Sequence, residues 1–411
     1  MPLVKRKLVT VRRITQITSI PNTRRHVLVK IDGWNVVAHI TENFQPGQLV
    51  LYFEIDSCIP STGAFWEYHA ANTKWWHGKL ACVVQTEVVA KQLSQGLIFP
   101  LHRFPQVREV VENLKVGNTK EEFERLLKNQ SFENLLGVTK YETPEDFLER
   151  DHKSLGYPPV FIEQPISTRA QNMPDLFSTL GQTRFQVTEK LDGVPMSVYQ
   201  VQRSSQWWSG LNPLSDATDG QHHDLGINTS NKAKQTYRIG VCGRTSDRAE
   251  TPDDIFWKAA KDSGILEGIQ TIFRGRNIVV QGELCGHTIM KNSLGLNPGV
   301  HVFHVFDIFD IDSRTYMSPD VVSDICASHN WKHVPVVKCI IKLADFAMNL
   351  DDLLMKAEGK GVFGQMREGL VFKAIKRQRI IFKVISNKWL IATDKKVNEV
   401  PEHLDTSGGW G

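Results

Sequence analysis

Charged residues stand inside apolar β-strand segments throughout the second half of this chain, and this pattern constrains the fold most strongly. Glu283 lies in "VVQGELCG", Asp307 in "HVFDIFD" and Lys383 in "IIFKVIS". A charge inside an otherwise apolar strand is costly unless it is paired or serves a ligand. These segments therefore predict strands that bring their charges to a polar site, in a domain that mixes strands with helices.

A lysine at the end of one such strand stands directly before an Asp-Gly turn, in "TEKLDGVPMS", residues Thr188–Ser197. A β-hairpin with a solvated lysine would give the same local pattern. A nucleophile is the alternative, because a lysine held at a rigid strand end in a basic pocket can have a lowered pKa. The motif alone leaves both interpretations open, and it makes Lys190 and Asp192 candidate site residues.

Short β segments dominate the N-terminal part of the chain. "HVLVKIDGWNVVAHI" predicts two strands about Asp32-Gly33. "LVTVRRITQI", "GQLVLYFEID", "KLACVVQTEVV" and "QGLIFPL" each predict one further strand. Several short strands in so short a stretch indicate a small barrel, for which the OB fold is the obvious candidate.

Helical spacing follows these β segments. "TKEEFERLLKNQSFENLL" and "TPEDFLERDHK" predict helices. We therefore expect an OB-fold module at 1–115, a helical linker at 116–155 and a second domain at 156–411. In that domain "TPDDIFWKAAKDSGI" predicts a helix capped by Thr251, and the polar composition of 203–237 predicts a long surface insertion.

Composition indicates a globular protein without a membrane segment. The net charge of the 411 residues is only +4, but basic residues cluster before Asp32 and again between Lys373 and Lys388. Such clusters suit a nucleic-acid backbone, although solvated basic faces would look the same. The six cysteines include no CxxC pair and so favour a reducing compartment over a disulfide framework or a zinc site. We expect a soluble, intracellular monomer, and the sequence does not indicate its compartment.

Six short motifs, in order along the chain, resemble those of the covalent nucleotidyltransferases: ATP-dependent DNA and RNA ligases and mRNA capping enzymes. They are Lys190-Leu-Asp192-Gly193 (motif I), Arg244 in "VCGRT", read as a strand (motif Ia), Glu283 in "GEL" (motif III), Phe306-Asp307-Ile308 (motif IIIa), Glu368-Gly369 with Lys373 (motif IV) and Lys383 (motif V). The match covers about 185–390. The chain departs from many ligases at Ile385, where they have a second lysine, so one phosphate contact is either lost or supplied by another residue, for which Lys388 is a candidate.

The resemblance implies roles in nucleotide chemistry. Lys190 would attack the α-phosphate of ATP and form lysyl-AMP, while Asp192 would orient the lysine or join the metal shell. Glu283 would accept a hydrogen bond from a ribose hydroxyl. Phe306 would stack on adenine, as aromatic faces do.

Phosphate and metal contacts are implied in the same way. Three cations would balance the charge of the triphosphate: Arg244, Lys373 and Lys383. Glu368, together with Asp192, would help to hold Mg²⁺ or Mn²⁺, largely through water. Three further residues are weaker candidates for the site: Glu189, Lys291 and Lys388.

The layout of the chain resembles one family within this superfamily. DNA ligases and capping enzymes carry an OB domain after motif V, but too few residues follow Lys383 for a barrel. A barrel-like module ahead of the motifs resembles the RNA ligases with an N-terminal OB domain. This resemblance implies an α+β fold, in which an OB-like barrel precedes a nucleotidyltransferase domain of antiparallel sheets and helices, similar to ATP-grasp folds.

The same resemblance implies an activity. RNA ligases of this family join 3'-OH and 5'-phosphate ends with ATP, at nicks in duplexes with RNA on the 3'-OH side. The path runs through lysyl-AMP and an adenylylated 5' end, and the partner is a nucleic acid. The alternatives are an ATP-dependent DNA ligase or another nucleotidyltransferase, and a non-catalytic nucleic-acid-binding protein. The joint presence of Lys190, Glu283, Glu368 and Lys383 argues against the last of these.

One further glycine-rich motif needs a separate interpretation. "GKGVFG", Gly359–Gly364, matches the spacing of a dinucleotide-binding loop. Such a loop follows a strand, whereas this one follows the helical segment "LDDLLMKAE". We therefore do not expect a dinucleotide site here.

Overall fold

The computed structural model describes most of the chain. It covers residues 6–21, 23–61, 73–76, 79–141, 154–163, 167–173, 175–214, 236–290, 292–375 and 379–393, with the backbone alone at 73–76 and 79–80. The strands in these ranges are β1 (Val9–Arg13), β2 (Gln16–Ser19), β3 (His26–Ile31), β4 (Trp34–His39), β5 (Leu49–Phe53), β6 (Ser57–Pro60), β7 (Thr73–Trp76), β8 (Lys79–Val83), β9 (Thr86–Val89), β10 (Gln92–Gln95), β11 (Leu97–Pro100), β12 (Thr139–Lys140), β13 (Ser154–Gly156), β14 (Thr168–Arg169), β15 (Arg184–Lys190), β16 (Val194–Gln202), β17 (Tyr237–Cys242), β18 (Asp247–Arg248), β19 (Ile278–Gly286), β20 (His301–Asp310), β21 (Thr315–Tyr316), β22 (Val336–Lys342), β23 (Gly369–Ala374) and β24 (Ile381–Ile385). The helices are α1 (Pro105–Lys115), α2 (Lys120–Asn129), α3 (Glu133–Leu136), α4 (Leu176–Leu180), α5 (Ile255–Asp262), α6 (Ile265–Ile272), α7 (Pro319–Ser328), α8 (Leu343–Phe346), α9 (Leu350–Ala357) and α10 (Asn387–Thr393).

Two compact units make up the chain. The first comprises Met1–Glu142, Gln171–Pro174 and Asn387–Gly411, and the second comprises Thr143–Ala170 and Asp175–Ser386. The helix predicted from "TPEDFLERDHK" lies outside the described residues, and so does most of the predicted insertion. No described helix has both the length and the apolar character that a membrane crossing requires.

The first unit is built from short antiparallel sheets. β2, β3 and β4 form one sheet, β1, β5 and β11 a second, and β12, β6, β8 and β7 a third. The predicted hairpin is confirmed, because β3 and β4 join at Asp32 (φ 45°) and Gly33 (φ 80°). This left-handed turn is one that Asp-Gly favours. Alternate residues of β4 are buried, beginning with Trp34, so one face of this sheet lines the core.

The segment predicted as one strand, "KLACVVQTEVV", forms two. β8 pairs with β6, and Val84 N then donates to Ser57 O at 2.9 Å. β9 pairs instead with β10, across a turn in which Ala90 (φ 49°) and Lys91 (φ 62°) are left-handed. The change of partner after Val84 is a tertiary effect that the continuous apolar pattern does not contain.

Helices α1 and α2 pack on the strands of the first unit. Thr119 and Glu122 form a reciprocal capping box at the start of α2, with distances of 3.2 and 3.0 Å. Val107 of α1 and Phe123 of α2 are buried in the same apolar cluster as Phe53 of β5. The predicted helix at "TKEEFERLLKNQSFENLL" is thereby confirmed as α2 and α3.

The second unit contains two sheets. The order in the larger is β13-β18-β17-β16-β19-β20-β21, and the order in the smaller is β14-β24-β23-β15-β22. Among these pairs, β14 with β24 is parallel and the others are antiparallel. The predicted α+β class is confirmed. The chain passes from the smaller sheet to the larger between β15 and β16, through residues 191–193.

Helices α5, α6 and α7 bury apolar residues in one cluster with β16, β19 and β20. The predicted cap of α5 was wrong, because Asp254 and not Thr251 occupies the N-cap. Its carboxylate accepts from Phe256 N and Trp257 N, both at 3.0 Å. Asp254 also pairs with Arg248 Nε at 2.7 Å, and this buried ion pair fixes the start of the helix.

Candidate active site

Lys190 is the last residue of β15, at the point where the chain leaves the smaller sheet. In the register of β15 with β23 it lies opposite Gly369, so Glu368 precedes the partner strand by one residue. Beyond the turn, Val194 of β16 lies opposite Leu284 of β19, next to Glu283. Strand pairing alone therefore brings the predicted motifs I, III and IV together.

Gly193 makes this convergence possible because no side chain fits there. A Cβ on Gly193 would lie 2.5 Å from the carbonyl oxygen of Leu284 and 2.9 Å from Cγ of Glu283. Its backbone N–H donates to the Glu283 carboxylate. Ser293 Oγ donates to the backbone oxygen of Asp192 at 3.0 Å, which holds the other side of the turn. The Asp-Gly turn thus allows the backbone at Gly193 to pack directly against Glu283 and Leu284 of motif III.

Carboxylates surround the Lys190 ammonium. Its Nζ lies 2.8 Å from Oε1 and 2.9 Å from Oε2 of Glu368. Burial acts to lower the pKa of Lys190, but Glu368, Glu283 and Asp192 outweigh it and raise that pKa above its ordinary value. The strand-end position is confirmed, whereas the expected basic pocket is wrong for the described residues.

The carboxyl groups themselves are shifted towards the neutral form. Burial raises the pKa of Glu283 to about 7, against the opposing effect of Lys190. Burial also raises the pKa of Glu368. These acids share one small volume, and like charges at short distance disfavour the ionised form of each.

Phe306 and Lys373 come together from the two sheets of the second unit. Lys373 Nζ lies 3.0 Å from Asp307 Oδ1 and 5.0 Å from the centroid of the Phe306 ring. It also donates to the carbonyl oxygen of Phe306. Arg379 binds the other oxygen of Asp307 at 2.9 Å. The structure thus gives Lys373 protein partners around Phe306.

Lys383 lies on β24 opposite Val371 of β23. It is close enough to Glu368 to act against the rise in that group's pKa. On the opposite edge of β24, Lys383 lies next to Arg169 of β14, which pairs with β24 in parallel register. Sequence reasoning missed Arg169, because a strand of two residues has no periodic pattern.

Arg244 is exposed and lies in the bend between β17 and β18. Its predicted position on a strand was therefore wrong, since β17 ends at Cys242. Lys291 lies outside the described residues. Lys388 belongs to α10 in the first unit.

Glu189, next to the candidate nucleophile, binds the glycine-rich loop. Its carboxylate accepts from the Val362 N–H, at 3.0 Å for Oε1 and 3.2 Å for Oε2. Burial raises the pKa of this carboxyl. The loop Gly359–Gly364 follows α9 rather than a strand, as its sequence indicated. In the structure, the backbone of this loop donates a hydrogen bond to Glu189 from Val362 N.

The donor set suits a hard divalent cation held by few protein ligands. Among the described residues no three His, Cys, Asp or Glu side chains are grouped to enclose a metal. Glu368 and Asp192 nevertheless lie beside Lys190, since both raise its pKa. Mg²⁺ is commonly bound by one or two carboxylates, with water and phosphate oxygens completing its shell. The residues present fit such an ion.

Two family models match the sequence. The model of RNA ligase matches residues 183–385, and a model of an OB-fold domain matches residues 8–101. The first range contains Lys190, Glu283 and Glu368. The comparison with curated protein sequences gave no significant match.

Solved structures of Naegleria gruberi RNA ligase resemble this chain over nearly its whole length. A mutant with AMP and Mn matches at a TM-score of 0.69 and 29% identity, over 94% of this chain and 98% of that one. A mutant with ATP and Mn matches at 0.68 and 28%, over 93% and 98%. The structure with PPi matches at 0.68 and 29%, over 94% and 99%.

The comparisons confirm the resemblance that the motifs carried and the predicted order of the two domains. The range matched by the RNA ligase model contains this site, in which a lysine at a strand end lies beside the carboxylates of motifs I, III and IV. Residues 183–385 of the chain therefore form a domain of the RNA ligase family, and an OB-fold domain precedes it.

Proposed function

We propose that this enzyme uses ATP and a divalent metal to join a 3'-OH end to a 5'-phosphate end of RNA. The observation that carries the proposal is the contact of Lys190 Nζ with Glu368 at 2.8 Å, next to Glu283. The similar Naegleria gruberi structures contain ATP, AMP, PPi and Mn. These are the substrate, the transferred group, the leaving group and a metal for adenylyl transfer.

The first step is the transfer of AMP to Lys190. A bond forms between Nζ and the α-phosphorus, the bond from that phosphorus to the bridging oxygen breaks, and pyrophosphate leaves. An amine attacks only after losing its proton, and Glu368 lies within hydrogen-bonding distance to take it. A divalent metal at Glu368 and Asp192 would neutralise phosphate charge and compete with the ammonium for the carboxylates.

The remaining site residues bind the nucleotide in this proposal. Glu283 accepts from a ribose hydroxyl, and Phe306 stacks on the adenine face. Lys383 and Arg244 balance the charge of the phosphates. Arg169 adds a further cation beside Lys383, on the neighbouring strand.

The second and third steps use the nucleic acid. AMP passes from Lys190 to the 5'-phosphate as the nitrogen–phosphorus bond breaks, and the 3'-OH then attacks that phosphate while AMP leaves. We propose nicked duplexes with ribonucleotides on the 3'-OH side as the substrate. The first unit, which contains the OB-fold strands, contacts the backbone, and the second unit, which contains Lys190, Glu283 and Glu368, performs the chemistry.

Strand joining tests this function. The protein is incubated with ATP, Mg²⁺ or Mn²⁺, and a nicked duplex whose 3'-OH side is either ribose or deoxyribose. We expect a joined strand with the ribose substrate, much less with deoxyribose, and none from Lys190→Ala. Equal or better sealing of the all-DNA nick would reject the proposed polarity and favour a DNA substrate. If neither substrate is joined although the protein carries AMP, the proposed end joining is rejected and only adenylyl transfer is supported.

A further inference from the structure

Phe306 occupies an irregular position in β20. In the pairing of β19 with β20, Gln281 lies opposite Asp307 and Gly282 lies opposite Val305, so Phe306 has no partner residue. Such a bulge re-aims the side chain of the extra residue and leaves part of its backbone unpaired. Here the carbonyl oxygen of Phe306 accepts a hydrogen bond from Lys373 Nζ.

Lys373 reaches this bulge from the other sheet. It lies on β23, and Nζ also binds Asp307 Oδ1 at 3.0 Å. Arg379 NH2 binds Asp307 Oδ2 at 2.9 Å, and its guanidinium lies over the Tyr316 ring at 3.1 Å from the centroid. Each oxygen of the Asp307 carboxylate is thus bound by one cation, Oδ1 by Lys373 and Oδ2 by Arg379.

The ammonium of Lys373 is committed to this network. Its side chain is 6% exposed and that of Asp307 is 5% exposed. Two of its three N–H donors are used by Asp307 and the Phe306 carbonyl, and its charge lies near the Phe306 ring. A move to a phosphate would leave Asp307 buried with one cation fewer, which is costly.

The ring that this network fixes lies next to the nucleophile. Phe306 packs, partly buried, against the cluster of Leu191, Cys285 and Val334. Leu191 directly follows Lys190 in the chain. A shift of the bulge would therefore move the aromatic face relative to Lys190.

We propose that Lys373 is a positioning residue for the nucleotide base: with Arg379 it holds Asp307 and the bulged carbonyl, and so fixes the face of Phe306. It does not bind the triphosphate. This inference rests on the proposed function, because it assumes that Phe306 stacks on the adenine. It gives Lys373 a role different from the phosphate contact that the resemblance implied.

The test is the rate of Lys190 adenylylation in the full-length protein as a function of ATP, with pyrophosphate as inhibitor. We expect Lys373→Met to raise KM for ATP by roughly tenfold, a loss of about 1.4 kcal/mol in binding. The inhibition constant of pyrophosphate should stay near the wild-type value, since pyrophosphate has no base. The matched control is Lys338→Met, an exposed lysine on β22 of the same sheet.

A double variant distinguishes positioning from a separate contact. If Lys373 acts through Phe306, then Lys373→Met added to Phe306→Leu should change KM little beyond Phe306→Leu alone. If the increases in KM of the two single variants multiply in the double variant, or if the pyrophosphate inhibition constant rises as much as KM, the inference is overturned and Lys373 is a phosphate ligand. An unchanged KM in Lys373→Met would overturn it as well.

Arg379→Met covers the case in which Lys373→Met does not fold. Arg379 is 29% exposed and its loss removes only one of the two cations on Asp307. We expect a smaller rise in KM for ATP, again without a change for pyrophosphate, and no change at all would contradict the network. Absence of adenylylation in the wild type would instead reject the proposed function itself.

Discussion

Lys190 and Glu368 form an ion pair of 2.8 Å in which the carboxylate is 10% exposed and the lysine 25% exposed. The pair holds the amine in its charged form, which cannot attack phosphorus. The same carboxylates are oxygen ligands that suit a divalent metal. The residue that carries out the first step is therefore held in position but protonated. In our proposal it passes its proton to Glu368 before it attacks, and a divalent metal at these carboxylates would compete with the ammonium for them.

Glu283 gives the free energy of unfolding a pH dependence. Its pKa is about 7 in the folded protein, against an ordinary value of 4.5. The folded state binds more protons between these values, so this contribution to stability is full below 4.5 and is lost as the pH rises through about 7. In that pH window the free energy of unfolding of the wild type should fall by up to ~1.4 kcal/mol per pH unit, and Glu283→Gln should not show this fall.

Urea unfolding at a series of pH values checks this prediction. Wild type and Glu283→Gln are compared with Glu109→Gln, an exposed residue of α1 that should behave as the wild type. The same pH dependence in wild type and Glu283→Gln would show that Glu283 is already ionised near its ordinary pKa.

Gly193 should not tolerate even a methyl group. In Gly193→Ala the new Cβ would meet the Leu284 carbonyl at 2.5 Å, so β16 and β19 must separate. We expect a loss of stability of about 1–3 kcal/mol and a large loss of Lys190 adenylylation, because Glu283 moves. Gly210→Ala is the control, since a Cβ there meets no atom within 4 Å. Wild-type stability and activity in Gly193→Ala would contradict the packing described.

At the level of elements, local patterns were sufficient where the structure depends on neighbours in sequence. Apolar segments that contain single charges predicted β15, β19 and β24, and Asp32-Gly33 predicted its hairpin. The sequence could not predict the bulge at Phe306, because it arises from the register of β19 with β20. It also could not predict Arg169 beside Lys383, because a parallel pair of two residues depends on contacts distant in the chain.

The site residues show the same distinction between features set by local sequence and features set by contacts distant in the chain. Lys190, Glu283 and Glu368 were identifiable from charges in apolar strands and from motif order. Their mutual distances, and so the acidic surroundings of the lysine, depend on how two sheets meet at residues 191–193. The Asp254 cap of α5 was missed in the same way, since Thr251 and Asp254 are both good caps and the Arg248 ion pair decides between them.

The loop Gly359–Gly364 should depend on Glu189. Glu189→Ala leaves the partly buried Val362 N–H without its acceptor and should cost about 0.5–1.5 kcal/mol. Because Glu189 precedes Lys190, adenylylation should slow as well. Urea unfolding and labelling rates check this, with Glu109→Ala as the exposed control. A variant with normal stability would mean that the loop does not need this carboxylate.

For the whole molecule, the basic N-terminal cluster is not uniformly available to a nucleic acid. Arg6 pairs with Glu54 and Asp56, Arg12 with Asp32, and Arg13 with Glu124. Arg24 and Arg25, between β2 and β3, are exposed. The charges that contact a phosphate backbone should therefore come from this loop more than from β1.

Salt dependence of binding measures that difference. Arg24→Ala/Arg25→Ala should weaken binding to a nicked duplex and lower the slope of log affinity against log salt by up to about 2. The control removes the same charge from exposed positions on α1 and α2, as Arg108→Ala/Arg125→Ala, and should change the slope less. An equal change of the slope in both variants would show that binding depends only on the net charge of the protein.

The covalent intermediate tests the central claim most directly. The protein, shown to be free of bound AMP, is incubated with ATP and Mg²⁺ or Mn²⁺, digested, and mapped by tandem mass spectrometry. We predict one AMP on the peptide that contains Lys190, and none on Lys190→Ala. Folded wild-type protein without AMP on any lysine, or with AMP on a lysine other than Lys190, would contradict the account.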